Sequence, residues 1–143
     1  MMNQFVVFLA LIVLIVICHA ERPSRKCRRE LMEFEDECVI HCEYKYYRFI
    51  DDSRFQITPV QRKNFINVMK KYGAFGMDQD ESQLDKKLMK CAHEVNKKTP
   101  VESESDKCKK INQYYICAVL DHSIFQYSAY AKAITEFEKT INV

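Results

Sequence analysis

The stretch Cys38-Val39-Ile40-His41-Cys42 decides how this chain folds, because two cysteines four residues apart on a helix lie on one face. They cannot pair with each other while that helix is intact, so each must reach another part of the chain. The surrounding apolar residues recur every 3.6 residues on average, which is the period of an α-helix. The sequence therefore predicts a helical segment from about Leu31 to Ile50, either continuous or split near Cys38. The apolar stripe is Leu31, Phe34, Cys38, Cys42, Tyr46 and Phe49.

The first 20 residues have the pattern of a secretory signal peptide. An uninterrupted apolar run of 13 residues, from Phe5 to Ile17, is short for a bilayer span. Cys18-His19-Ala20 follows, with a small residue at the expected cleavage point. The alternative is a membrane anchor, because no Lys or Arg precedes the apolar run. We expect residues 1–20 to be removed and residues 21–143 to form a single secreted, extracellular domain.

Removal of this leader also removes Cys18 and leaves an even number of cysteines. Such a number in a secreted chain predicts three disulfides, for which fifteen pairings are possible. Helix geometry excludes Cys38–Cys42, and it excludes Cys108–Cys117 if the helix that carries both is intact. The remaining pairings stay open at this level. The six cysteines are Cys27, Cys38, Cys42, Cys91, Cys108 and Cys117.

The low glycine content favours helices over β-hairpins. Only two glycines occur in the chain, and no segment alternates cleanly between apolar and polar residues. We therefore predict an all-α, compact bundle of about five to six helices. A basic arm at residues 22–29 leads into the first helix with Ser24 as a cap, and capping boxes start two later helices. The expected helices after the cysteine-bearing segment cover about 58–72 with Thr58 and Gln61, 82–98 with Ser82 and Asp85, 106–122, and 125–141.

The cysteine spacing and the aromatic residues around it resemble those of a known family. The three residues between the second and third cysteines and the eight between the fifth and sixth resemble insect odorant-binding proteins. The resemblance is closer to the small odorant-binding-protein-like salivary proteins of blood-feeding sand flies, and it spans essentially the whole mature chain. The stretches that carry it are Pro23–Cys27, His41–Phe49, Cys108–Cys117 and Lys139–Val143.

This resemblance implies three interlocked disulfides and a function in saliva. It implies the pairs Cys27–Cys42, Cys38–Cys108 and Cys91–Cys117. It also implies a secreted binding protein, since the family includes anticoagulants that bind anionic polymers and surfaces and block the contact pathway of clotting. One departure is that only ten residues separate the first two cysteines, which shortens the N-terminal helix and removes part of the ligand-cavity wall of odorant-binding proteins.

A row of lysines is the strongest candidate for binding. On the predicted helix 82–98, Lys86, Lys90 and Lys97 fall within about 40° of one another, opposite the apolar stripe. A rigid lysine row can neutralise several anionic groups and release their counterions, although most such rows are solvated helix faces. The net charge is only +2. The full candidate set for polyanion binding is Lys86, Lys87, Lys90, Lys97, Lys98, Lys107, Lys109 and Lys110.

The expected partners are polysulfated or polyphosphate-type host polymers or surfaces, and host clotting proteins, bound by a monomer. No catalytic motif is present, so we do not expect an enzyme, a cofactor or a metal. His41, His93 and His122 are interpreted as surface or satisfied side chains. The alternative function is a scavenger of a host amine or lipid in an aromatic pocket, with Glu43 or Asp121 as its carboxylate. The favoured interpretation is that the aromatic residues fill the core.

Overall fold

A computed structural model describes residues 4, 6–9, 11–12, 21–31, 37–76, 78–98, 100–121, 123 and 125–143. It confirms the all-α fold, and within these residues the only β-type pairing is an isolated bridge between Asp51 and Gln56. The helices from residue 21 onward are α1 Pro23–Glu30, α2 Glu37–Tyr47, α3 Pro59–Lys71, α4 Glu81–Lys98, α5 Glu104–Tyr115, a π-helical turn Ile116–Leu120, and α6 Tyr127–Glu138.

Most of the predicted signal peptide lies outside the described residues. Positions 4, 6–9 and 11–12 are helical. In the part of the chain that the structure describes, no helix is both long and apolar enough to cross a membrane. Removal of residues 1–20 stays a prediction.

The N-terminal region differs from the predicted arm. Residues 23–30 are themselves a helix, because Pro23 occupies the first helical position, where its missing N–H costs nothing. Ser24 is not the cap: its backbone N–H and its hydroxyl both donate to the Glu138 carboxylate at 2.8 Å. Helix α2 ends earlier than the predicted Ile50, because Arg48 adopts a left-handed conformation with φ +58°. The predicted kink near Cys38 adjoins residues 32–36, which lie outside the described residues.

The predicted start of α3 is confirmed and that of α4 is wrong in detail. The Gln61 side chain accepts a hydrogen bond from the Thr58 backbone N–H, as a capping box requires. Helix α4 begins at Glu81, and the carboxylate of Asp80 accepts from the Ser82 N–H at 2.8 Å. Ser82 is therefore already inside the helix. Asp85 does not complete a box, because it faces α3 and pairs with a buried arginine.

The predicted helix over 106–122 is interrupted near its C-terminal end. After α5 the chain widens into the π-helical turn Ile116–Leu120, whose Ala118 and Val119 are buried. Burial of the turn is one-sided, since Ile116 and Leu120 are exposed. His122, the predicted last residue, lies outside the described residues.

Three disulfides hold the helices around an aromatic core. They join Cys27 to Cys42, Cys38 to Cys108 and Cys91 to Cys117, which are the pairs that the resemblance implies. Helix α2 therefore connects α1 on one side with α5 on the other. The largest fully buried side chains include Tyr44, Tyr114, Phe49, Phe65, Ile66 and Met69.

Candidate polyanion-binding surface

Helix α4 places its lysines on one outward face. Leu84, Leu88, Cys91, Ala92 and Val95 are buried, as the helical period predicts. The opposite side therefore faces solvent, and it carries Lys86, Lys90, His93 and Lys97, all exposed. The Lys90 Nζ lies 3.9 Å from a Glu94 carboxylate oxygen, at the edge of ion-pair distance. Helix α4 thus presents three cations in one row.

Three other candidate lysines are already engaged within the fold. The Nζ of Lys87 lies 2.9 Å from the Asp121 carboxylate and donates to the Ser123 hydroxyl at 2.6 Å. The Nζ of Lys110 is buried and donates to the Phe55 carbonyl at 3.3 Å, and this burial lowers its pKa. Lys107 pairs with Glu104 and sits over the Phe55 ring. These contacts remove much of their charge from the surface.

The remaining members of the set are Lys98 and Lys109. Lys109 is exposed on α5, whereas the side chain of Lys98 lies outside the described residues. The structure thus brings together Lys86, Lys90 and Lys97 as one exposed row, with Lys109 on the neighbouring helix. It does not bring all eight lysines into a single exposed patch.

Sequence reasoning missed a second cationic surface on α1. The predicted basic arm is a helix that carries Arg25 and Arg28, with Arg22 as its N-cap residue, and all three are exposed. Arg29 is partly neutralised by Glu21, and Lys26 lies over the Tyr46 ring, 5.4 Å from its centre. The signal was present as five basic residues within Arg22–Arg29. If this stretch had been assigned to a helix, the cluster would have been predicted as a cationic surface.

The aromatic residues are packed against one another. Phe49 contacts Tyr44, Phe65 and Phe137, with ring centres 5.0–6.2 Å apart, and Tyr130 stacks on Phe65 and Phe125. The Tyr44 and Tyr130 hydroxyls share a hydrogen bond inside the core. Contacts of this kind are those of a filled core.

The two carboxylates proposed for an amine site, Glu43 and Asp121, differ in burial and in the direction of their pKa shifts. Burial, reinforced by the nearby Glu138 charge and opposed by Arg28, raises the pKa of Glu43 to about 7. Asp121 is exposed, and the hydrogen bond from Lys87 lowers its pKa. Of the two, therefore, only Glu43 is largely buried near tyrosines and without an ion pair at salt-bridge distance among the described residues.

One open groove lies beside the cysteine hub. It has a volume of about 720 Å³ and runs between α1, α2 and the start of α5. Its lining includes Cys38, Cys42 and Cys108, with Tyr46 and His41 along one side. The His41 Nε2 lies 3.1 Å from an Asp52 oxygen. No group of three or more His, Cys, Asp or Glu residues that could hold a metal occurs among the residues that the structure describes.

Comparison with known proteins gives three similar sequences, and no family model matches the chain. The chain is 31% identical over 142 residues to Ayaconin from Lutzomyia ayacuchensis, covering 96% of this chain and 94% of that protein. It is 35% identical over 133 residues to Salivary protein 15a from Phlebotomus duboscqi and 34% identical to Salivary protein 15b, covering 91% of each chain in both cases.

Proposed function

The chain belongs to a family of sand fly salivary proteins, and on this premise we propose that it is an anticoagulant that binds anionic polymers or surfaces and blocks contact-pathway activation. As a member of that family it is a secreted salivary protein. Its action is binding rather than catalysis. The observation that carries the proposal is the row of Lys86, Lys90 and Lys97 on a face that points away from the core.

The disulfide frame supports membership in the wider odorant-binding-protein superfamily, which is a further part of the proposal. The pairing of first with third, second with fifth and fourth with sixth cysteine is the one that the resemblance implies. The same frame supports polyanion binding, because the Cys91–Cys117 bridge ties α4 to the π-helical turn and so holds the backbone positions from which the lysines project.

The primary test is the salt dependence of binding to dextran sulfate or heparin. Each lysine that contacts an anionic group adds about one unit to the slope of log affinity against log salt. The triple variant Lys86→Gln/Lys90→Gln/Lys97→Gln should lose most affinity at low salt and flatten the slope by about three units. It should also no longer delay clotting that is started by an anionic surface.

Two control variants, each with the same change in net charge as the triple lysine variant of α4, make the test specific. Lys63→Gln/Lys70→Gln/Lys71→Gln removes lysines of α3, two of which already pair with Glu81, and should leave binding unchanged. Arg22→Gln/Arg25→Gln/Arg28→Gln removes the cationic surface of α1. If the arginine variant alone loses affinity, the assignment to α4 is wrong. Retention that does not respond to salt, or no binding at low salt, contradicts the proposed function.

A second candidate function, capture of a protonated amine, is supported by Glu43 alone. This carboxyl is largely buried near tyrosines and lacks a hydrogen-bond donor among the described residues. Calorimetric titration with a panel of biogenic amines tests it. Heat of binding that disappears in Glu43→Gln would favour this candidate over polyanion binding.

A further inference from the structure

Two aliphatic side chains are exposed on the π-helical turn. Ile116 and Leu120 keep 48% and 40% of their surface accessible, although Cys117, Ala118 and Val119 between them are tied or packed inward. A single exposed aliphatic residue is ordinary on a protein surface. Two of them, four residues apart on one short turn, are more informative when their neighbours are considered. π-Helical turns also occur frequently at functional sites.

The π-helical turn runs antiparallel to α4, and two contacts fix the register between them. Cys91 is bonded to Cys117, with Cα atoms 5.7 Å apart, and the Lys87 ammonium lies 2.9 Å from the Asp121 carboxylate. Residue number therefore rises along one helix as it falls along the other.

Four exposed residues of the two segments directly precede these contact residues. Lys86 precedes Lys87 and Lys90 precedes Cys91 on α4, whereas Ile116 precedes Cys117 and Leu120 precedes Asp121 on the turn. In two antiparallel right-handed helices, positions just before the contact residues lie on the same side of the seam. All four of these preceding residues are exposed, so that side is the solvent side.

One face thus carries a lysine row beside an aliphatic pair. We call Lys86, Lys90, Ile116 and Leu120 the mixed face. A soluble polyanion would use its lysines and leave the aliphatic pair in water. A lipid surface uses both, since anionic headgroups attract the ammonium groups while aliphatic side chains enter the boundary of the acyl region.

The composition of the mixed face favours a membrane over a protein partner. Protein interfaces depend on a few anchors that are enriched in Trp, Tyr and Arg, and the mixed face has none of these. Its cations are lysines, whose charge complements an anionic headgroup layer without needing a fixed geometry. We propose that the mixed face docks the protein on anionic phospholipid membranes. This inference rests on the proposed function, because it uses two of the same lysines.

Sedimentation with vesicles tests the inference. Vesicles of phosphatidylcholine alone are compared with vesicles in which about 30% of the lipid is phosphatidylserine, which gives a strongly negative surface potential. The wild-type chain should bind only the anionic vesicles, and Lys86→Gln/Lys90→Gln should weaken binding to both vesicles and dextran sulfate. The variant Ile116→Ser/Leu120→Ser should bind vesicles about tenfold more weakly and dextran sulfate equally well. Val60→Ser, which removes an exposed aliphatic group on α3, is the matched control and should change neither.

The outcomes separate this inference from the function on which it rests. Retained binding to dextran sulfate without any preference for anionic vesicles overturns the inference and leaves the proposed function standing. If the wild-type chain binds neither dextran sulfate nor anionic vesicles, both the inference and the proposed function are overturned. Unchanged vesicle binding by Ile116→Ser/Leu120→Ser also overturns the inference. If that variant nevertheless fails to delay clotting, the aliphatic pair belongs to a protein interface instead.

Discussion

Glu43 makes the stability of this protein depend on pH in a direction that is unusual for a carboxyl group. Burial and the neighbouring Glu138 charge raise its pKa from 4.5 to about 7 in the folded state. Folding therefore favours the protonated form. The stabilising contribution of that form is fully present below about pH 4.5 and is lost as the pH rises through about 7. At pH 8 the charged Glu43 costs about 3 kcal/mol relative to its neutral form.

The substitution Glu43→Gln removes this charge and keeps the shape of the side chain. The difference in free energy of unfolding between the variant and the wild type should therefore grow by about 3 kcal/mol, in favour of the variant, as the pH rises from 4 to 8. Because a neutral amide resembles a protonated carboxyl, the two proteins should differ least at pH 4. Urea denaturation followed by far-UV circular dichroism at both pH values measures the difference.

A charge-matched control separates burial from the general effect of charge. Glu102→Gln removes a carboxylate that is exposed in the loop before α5. It should shift the free energy of unfolding by only a few tenths of a kcal/mol at either pH. If Glu43→Gln and the wild type differ by the same amount at pH 4 and pH 8, Glu43 is not held in its protonated form by burial, and the reasoning fails.

Three further variants test the core and the frame by urea denaturation. Replacing both Cys38 and Cys108 by Ser opens a bridge between residues 70 apart and should lower the free energy of unfolding by about 4 kcal/mol, more than loss of either shorter bridge. An equal loss for all three bridges would contradict the loop-entropy argument. Tyr47→Phe removes a 2.5 Å hydrogen bond to the buried Glu138 and should lower the free energy of unfolding by about 2 kcal/mol. A change below about 0.5 kcal/mol, the scale of a surface substitution, would show that another donor replaces Tyr47 at Glu138. Leu88→Ala creates a cavity beneath α4 and should cost about 3 kcal/mol, whereas a neutral result would mean that this side of α4 is not tightly packed.

The helical architecture could be predicted because its signals are local. The spacing of Cys38 and Cys42, the capping box of Thr58 and the glycine at the end of α3 each depend on a few neighbouring residues. Gly73 has φ +76°, as a residue that ends a helix in the left-handed region requires. The end of α2 and the start of α4 were missed although local features set them: Arg48 takes a left-handed conformation after α2, and the Asp80 carboxylate accepts from the Ser82 N–H at the start of α4.

Distant contacts explain the two wrong assignments of helix caps. Ser24 was expected to cap a helix, but its two donors are satisfied by Glu138, which is 114 residues away. Asp85 was expected to complete a capping box, but it pairs with Arg62 of α3 at 2.8 Å. A sequence pattern of three or four residues cannot reveal that a side chain has a better partner on another helix.

The candidate surface was predictable to the extent that helical periodicity determines exposure. Lys86, Lys90 and Lys97 follow from the angular positions on one helix, and all are exposed. Lys87 and Lys110 could not be separated from them by the same reasoning. Their partners, Asp121 and the Phe55 carbonyl, come from loops that only the folded chain places nearby.

The disulfide frame bears on how few charges are needed for binding. The net charge of +2 gives little long-range attraction, so binding must depend on local arrangement. A flexible lysine row would lose conformational entropy when it is ordered on a surface, and this loss opposes association. The Cys91–Cys117 bridge holds α4 against the π-helical turn at a Cα separation of 5.7 Å, so the backbones that carry Lys90 and Ile116 are ordered before any partner arrives. Breaking this bridge should therefore weaken binding to anionic surfaces even under conditions where the helices remain folded.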